Sequence, residues 1–132
     1  MPIKIKLVTP QKVLMETEAD LVVVPGAAGE MGFEEGHIPL LSGLQVGEIR
    51  IHSVGKLEHL ATSGGFVEAR PDSVVILAET AEPADEIDVE RAQAARSRAQ
   101  ERLARPTKET DIERAQAALS RALNRLRIAE HR

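Results

Sequence analysis

Six arginines carry the most suggestive spacing in the chain. Arg91, Arg98 and Arg102 recur at intervals of seven and four residues, and Arg114, Arg121 and Arg125 repeat the same intervals further on. On a helix of 3.6 residues per turn, each trio forms one stripe. A guanidinium group stays charged at neutral pH, so it serves no acid–base chemistry. Its planar fork instead donates paired hydrogen bonds to phosphate or carboxylate. If the two stripes share a face they repel one another, and an anion between them relieves the repulsion. A second reading is a solvated charged face balanced by Glu90, Glu101 and Glu113.

Other combinations offer less. Gly26, Gly29 and Gly32 recur at intervals of three but lack the Gly-Lys-Ser/Thr ending of a phosphate-binding loop, so they read as turn formers. Glu34, Glu35 and His37 lie close together without the helical ligand spacing of a metal or acid–base site, and read as a structural or partner-facing loop. His52 and His59 fall on adjacent expected strands without a third ligand. The chain has no cysteine, which excludes thiolate catalysis, thiolate metal sites and disulfides. No serine stands in a nucleophile elbow. An enzyme is not expected, nor a metal site.

The elements that position the arginines are two related helices. The segment DVERAQAARSRAQERL from Asp88 matches DIERAQAALSRALNRL from Asp111 at 12 of 16 positions. Asp88 is an expected N-cap; Pro106 ends the first helix; Thr110-x-x-Glu113 has capping-box spacing for the second. The short connection implies an antiparallel hairpin. Ala92, Ala95, Ala99 and Leu103 form one seam, and Ala115, Ala118, Ala122 and Leu126 its counterpart. A twofold axis relating two such helices keeps equivalent flanks on one side. Both arginine stripes should therefore line one face, with Arg91 near the level of Arg125. An alanine seam buries little area, so the hairpin needs docking or a ligand to stay closed.

Residues before about 82 read as strands: Ile3–Leu7, Leu21–Val24, Glu48–Ile51, Leu57–Ala61, Phe66–Ala69 and Val74–Ala78, separated by turn signals. The expected class is α+β by segments: an N-terminal antiparallel β-sandwich over 1–82, a linker over 83–87, and a C-terminal antiparallel α-helical hairpin over 88–132.

Composition limits the function classes. Two phenylalanines are the only Phe, Tyr or Trp in 132 residues, so base-stacking platforms for single strands are lacking. Through Ala81 there are six basic and eleven acidic residues; from Glu82 on, eleven basic and ten acidic. That balance does not suit a general nucleic-acid binder. No apolar run reaches the length of a membrane span, and the first ten residues lack a secretory signal's apolar stretch. The expectation is a cytosolic protein that can sit on a membrane complex.

Val24–Ile51 contains Gly29-Glu30-Met31-Gly32 and Gly36-His37-Ile38-Pro39-Leu40-Leu41, and Ser63-Gly64-Gly65-Phe66 follows. This combination resembles the epsilon subunits of bacterial F-type ATP synthases, and the resemblance covers essentially the whole chain. It departs at Phe33-Glu34-Glu35. The resemblance implies a non-catalytic rotor subunit, monomeric when isolated, peripheral on the cytoplasmic face of the bacterial membrane. Its implied partners are the gamma subunit, the c-ring and the alpha/beta catalytic head, without nucleic acid and without membrane insertion. Glu30, Met31 and His37 would belong to the ring- and gamma-facing loop. The hairpin would move between a folded form and an extended form that inhibits ATP hydrolysis. Some bacterial members bind ATP on the folded hairpin through Ile-Asp-x-x-Arg-Ala, an upstream acid and further arginines. Ile87, Asp88, Arg91 and Ala92 match that motif, with Glu82 upstream and Arg98, Arg121 and Arg125 at the arginine positions. ATP is thus an implied regulatory ligand rather than an obligatory cofactor, with magnesium left open. The alternative is a stand-alone nucleotide-responsive adaptor.

Overall fold

The computed structural model describes residues 2–131, which form two compact units divided between Pro83 and Ala84. Among the described residues of the first unit are ten strands: β1 Ile3–Val8, β2 Val13–Ala19, β3 Leu21–Gly26, β4 Gly29–Phe33, β5 Leu40–Leu44, β6 Gly47–Ser53, β7 Lys56–Thr62, β8 Gly65–Ala69, β9 Ser73–Ala78 and β10 Ala81–Pro83.

Period-two patterning explains the layering. In β1, Ile3, Ile5 and Leu7 are buried while Lys4 and Lys6 are exposed. The pattern repeats with Val22 and Val24, Ile49 and Ile51, and Val74 and Ile76. These side chains meet in one core with Leu60, Val67 and Phe33. Each such burial contributes about 1.5–3 kcal/mol.

The hydrogen-bonded path runs β10-β7-β6-β3-β5-β8-β9-β1-β2, while β4 pairs with β3 off that path. β3 changes partner along its length. It pairs with β6 at Leu21–Val23, and meets β5 only at Gly26↔Leu44. The expected antiparallel sandwich thus includes a single-residue join between its halves. It also contains one parallel pair, β1 with β9, in the register Ile5↔Val74. Gly65 sits at φ +140°, and a Cβ there would collide with Leu77 O, so only glycine fits this position in the β8–β9 ladder.

The segment expected as a linker is regular. Pro83 closes β10, which pairs with β7 at the end of the path, where a missing N–H costs no interior ladder bond. A 3-10 turn, Ala84–Glu86, follows in the second unit, and Ala84 and Ile87 are buried. Burial of those two apolar side chains orders a stretch whose composition alone suggests a spacer.

The second unit is a pair of antiparallel helices, α1 Val89–Ala104 and α2 Ile112–Ala129. Asp88 caps α1, its Oδ1 accepting from Arg91 N at 3.0 Å. The cap of α2 is Asp111 rather than Thr110: Asp111 Oδ1 accepts from Arg114 N at 3.0 Å. Thr110 Oγ1 instead accepts from Thr107 N at 2.9 Å and closes the connecting turn. The repeat places both aspartates equivalently, a stronger signal than the capping-box spacing.

Candidate functional site

The alanine seam is present as residues, not only as a pattern. Ala92 and Ala99 of α1 and Ala115 and Ala122 of α2 are at most 3% exposed. Relative to that seam, Arg91, Arg98 and Arg102 fall within about 40° of arc on one flank of α1, whereas Arg96 lies roughly 140° from Arg91 on the other. Arg102 and Arg114, one from each stripe, line a common open cleft of about 360 Å³ with Thr107, Glu109, Thr110 and Asp111. A second groove, about 550 Å³, is lined by Val89, Gln93 and Arg96 together with Leu126, Ala129 and Glu130. The two stripes therefore share one face of the hairpin, and Arg96 belongs to the other.

The arginine face has little internal neutralisation. Among the described residues, Arg91, Arg98, Arg102, Arg114 and Arg121 make no ion pair, while Arg105, the C-cap residue of α1, lies 3.7 Å from Glu101. Arg91, Arg98, Arg102 and Arg114 are exposed, while Arg121 and Arg125 are half-buried. Ile87 and Ala92 are 4% and 3% exposed, so they shape the backbone around the face rather than offering contact surface. Asp88 is engaged as the N-cap. Glu82 lies on β10 of the first unit, opposite Ala61.

The second group of candidates sits on the sandwich. Gly29-Glu30-Met31-Gly32 is not a loop but part of β4, turned back on β3 through Gly26↔Gly29. Met31 packs against the core, so Glu30 is the outward-facing member of the pair. Arg50 Nη1 donates to Glu30 Oε2 at 2.8 Å and to Glu48 Oε1 at 2.9 Å. Glu48 Oε2 lies 3.1 Å from His59 Nδ1. Burial of the Glu48 carboxyl opposes its ionisation, but the hydrogen bonds from Arg50 and His59, with their charges, outweigh it and hold the group below its ordinary value. The bonds to Glu30 and then Glu48 raise the Arg50 guanidinium further above its already high value. His37 follows β4 in the connection to β5, its Nδ1 2.6 Å from Ile38 O and its ring edge-on to buried Phe33, with centroids 4.7 Å apart.

Sequence reasoning did not find an apolar row on the outer face of the other half-sheet. The registers Gly43↔Phe66, Phe66↔Leu77, Leu77↔Val8 and Val8↔Val13 place these residues in one line across β5, β8, β9, β1 and β2. Phe66, Leu77 and Val13 are 58%, 51% and 50% exposed. The available signal was Phe66-Val67 and Ile76-Leu77, adjacent apolar residues that a strand sends to opposite faces. Exposed apolar patches of this kind mark protein contact surfaces.

The chain thus combines a β-sandwich unit with a helical-hairpin unit, and this pair of domains defines its class. Residues 2–84 match the family described as ATP synthase, Delta/Epsilon chain, beta-sandwich domain, and residues 85–130 that described as ATP synthase, Delta/Epsilon chain, long alpha-helix domain. The chain is similar to the ATP synthase epsilon chain of Syntrophobacter fumaroxidans, 50% identical over 97% of this chain and 96% of that one. Those of Desulforamulus reducens (50%, 76% of each chain) and Bacillus subtilis (49%, 76% of each chain) are similar too. Two solved structures share the fold: one of the Euglena gracilis mitochondrial ATP synthase, containing OSCP, F1 and c-ring (TM-score 0.79, 24% identity, 90% of this chain and 76% of that one), and one of the Tetrahymena thermophila mitochondrial ATP synthase central stalk and c-ring (TM-score 0.58, 13%, 99% and 96%). The chain belongs to the ATP synthase delta/epsilon chain family, on the side of its bacterial epsilon chains.

Proposed function

We propose that this chain is a non-catalytic central-stalk subunit of an F-type ATP synthase, whose helical hairpin is held closed by ATP and released when ATP falls. The observation that carries the regulatory part is the hairpin face that gathers an arginine stripe from each helix, on which Arg91, Arg98, Arg102, Arg114 and Arg121 make no ion pair among the described residues. A nucleotide's phosphates supply the missing negative charge through forked, charge-assisted hydrogen bonds. Because the face requires both helices side by side, ATP binds the closed hairpin and shifts the population toward it. When released, the same basic helices are free to meet acidic surfaces of the catalytic head and restrain hydrolysis.

On the sandwich, the Phe66–Leu77–Val13 row is the surface offered to the gamma subunit, and the β3–β4 hairpin carrying Glu30 is the contact to the c-ring. In this reading the protein sits peripherally, on the cytoplasmic side of the membrane. No helix among the described residues is long and apolar enough to cross it. The regulatory reading is tested by titrating ATP into the purified chain while following hairpin amide shifts and calorimetric heat. Saturation in the millimolar range or below supports it; a response no larger than that to the same ionic strength of chloride refutes it. Co-purification with gamma tests the stalk assignment separately.

A further inference from the structure

The distal half of the β3–β4 hairpin, Pro25–Glu30, has few ladder partners. β4 bonds to β3 alone, and β3 has left β6 by Pro25. Bonds from β5, from the β5–β6 connection and from β6 supplement the ladder. Ala27 N donates to Gly43 O at 3.1 Å, Gln45 N donates to Pro25 O at 2.9 Å, Gln45 Nε2 donates to Gly26 O at 3.0 Å, and Pro25 sits so close over Gly47 that a Cβ there would lie 2.5 Å from Pro25 Cβ. The side-chain link to the β4 strand itself comes from Arg50, reaching from β6 past β3 to Glu30.

Arg50 is not free to swing. The same Nη1 that binds Glu30 binds Glu48, and Glu48 is bound in turn to His59. Exposure rises along this chain: the side chains of His59 and Glu48 are 13% and 15% exposed, Arg50 27%, and Glu30 60%. The inner members are fixed by burial and pairing, and the outermost carboxylate inherits their position. Held so, it loses little freedom when it accepts a hydrogen bond from a partner.

We infer that Arg50 is a positioning residue for docking of the β3–β4 hairpin, presenting Glu30 as a preset acceptor to a hydrogen-bond donor on the ring. This rests on the proposed ring contact of that hairpin. Arg50 does not touch the partner; it acts through Glu30.

The test uses the whole chain with gamma and detergent-solubilised c-ring, measuring ring affinity and the amide shifts of Gly29, Glu30 and Gly32. Arg50→Gln is expected to weaken ring binding about tenfold, the scale of one charge-assisted hydrogen bond. Glu30→Gln should do the same, Arg50→Lys should recover part of the loss, and Arg70→Gln, whose partner Glu68 lies on β8, should change affinity less than twofold. The double variant Glu30→Arg with Arg50→Glu restores the ion pair but presents a donor in place of the acceptor. It should recover the hairpin shifts and not the affinity. Recovery of both would show that the pair merely holds the hairpin together, and would overturn the inference, as would wild-type affinity in Arg50→Gln. If wild-type chain with gamma shows no ring binding, and Glu30→Cys forms no cross-link to the ring, the ring contact itself is refuted instead. Should Arg50→Gln fail to fold, judged by circular dichroism, Arg50→Lys and Glu30→Gln carry the test.

Discussion

Replacing Arg98 by alanine should weaken ATP binding by about an order of magnitude, while the same change at Arg96 should leave it nearly unaltered. The two residues are neighbours in sequence and lie on opposite flanks of α1. A hydrogen bond to a charged group is worth about 1.5–3 kcal/mol, which corresponds to roughly a 10- to 150-fold change in Kd. Arg98 is exposed, so solvent screening places its loss at the low end, near tenfold. Arg96 faces the Val89–Leu126 groove. A helix with its side chains is about 10–12 Å across, comparable to the Debye length of about 10 Å at 0.1 M salt. Its charge therefore reaches the opposite face largely screened, and less than about a twofold effect is expected. Isothermal titration of the two variants and of Arg98→Lys reads this directly, with circular dichroism confirming unchanged helix content. Arg98→Lys keeps the charge without the fork and should fall between. Equal losses at Arg96 and Arg98 would refute a site on one face and indicate non-specific attraction to a basic hairpin. No loss at Arg98 would remove the arginine stripes from the binding reaction.

Two further outcomes follow from packing and from ionisation. Ala122 is 1% exposed in the seam, so Ala122→Leu overfills it at a cost of about 1–3 kcal/mol. The closed hairpin becomes less populated, and apparent ATP affinity falls in proportion, although Ala122 touches no phosphate; loss of interhelical NOEs measures the opening. Glu48 has a carboxyl held below its ordinary value of 4.5, so its stabilising contribution is complete above that value and is lost as pH falls through the lower, folded-state value. Urea midpoints of wild type and Glu48→Gln should therefore converge on acidification below about pH 4.5. A constant gap between them across that window would show that Glu48 ionisation is not linked to folding.

Local chemistry was legible in the sequence. The six strand segments written there all fall within observed strands, because each alternates or clusters β-branched and aliphatic side chains. The helices, their Ala seam and the sharing of one flank by the arginine stripes follow from a repeat whose two copies impose equivalent positions, a symmetry that needs no coordinates. β2, β4 and β5 were less visible. The sequences VLMETEA, GEMGF and LLSGL lack clean alternation or contain glycine, and partners distant in the chain complete them.

Tertiary structure decided which surfaces meet. Register between β5, β8, β9, β1 and β2 brings Phe66, Leu77, Val8 and Val13 into one row, though Val8 and Leu77 lie far apart in sequence. Likewise Glu30, Arg50, Glu48 and His59 form a chain only because β3 lies between β4 and β6 and β6 pairs with β7. Period and propensity act over a few residues and leave their trace in the sequence. Cross-strand neighbours depend on loop closure and register, which sum weak preferences over the whole chain and are settled only when the core packs.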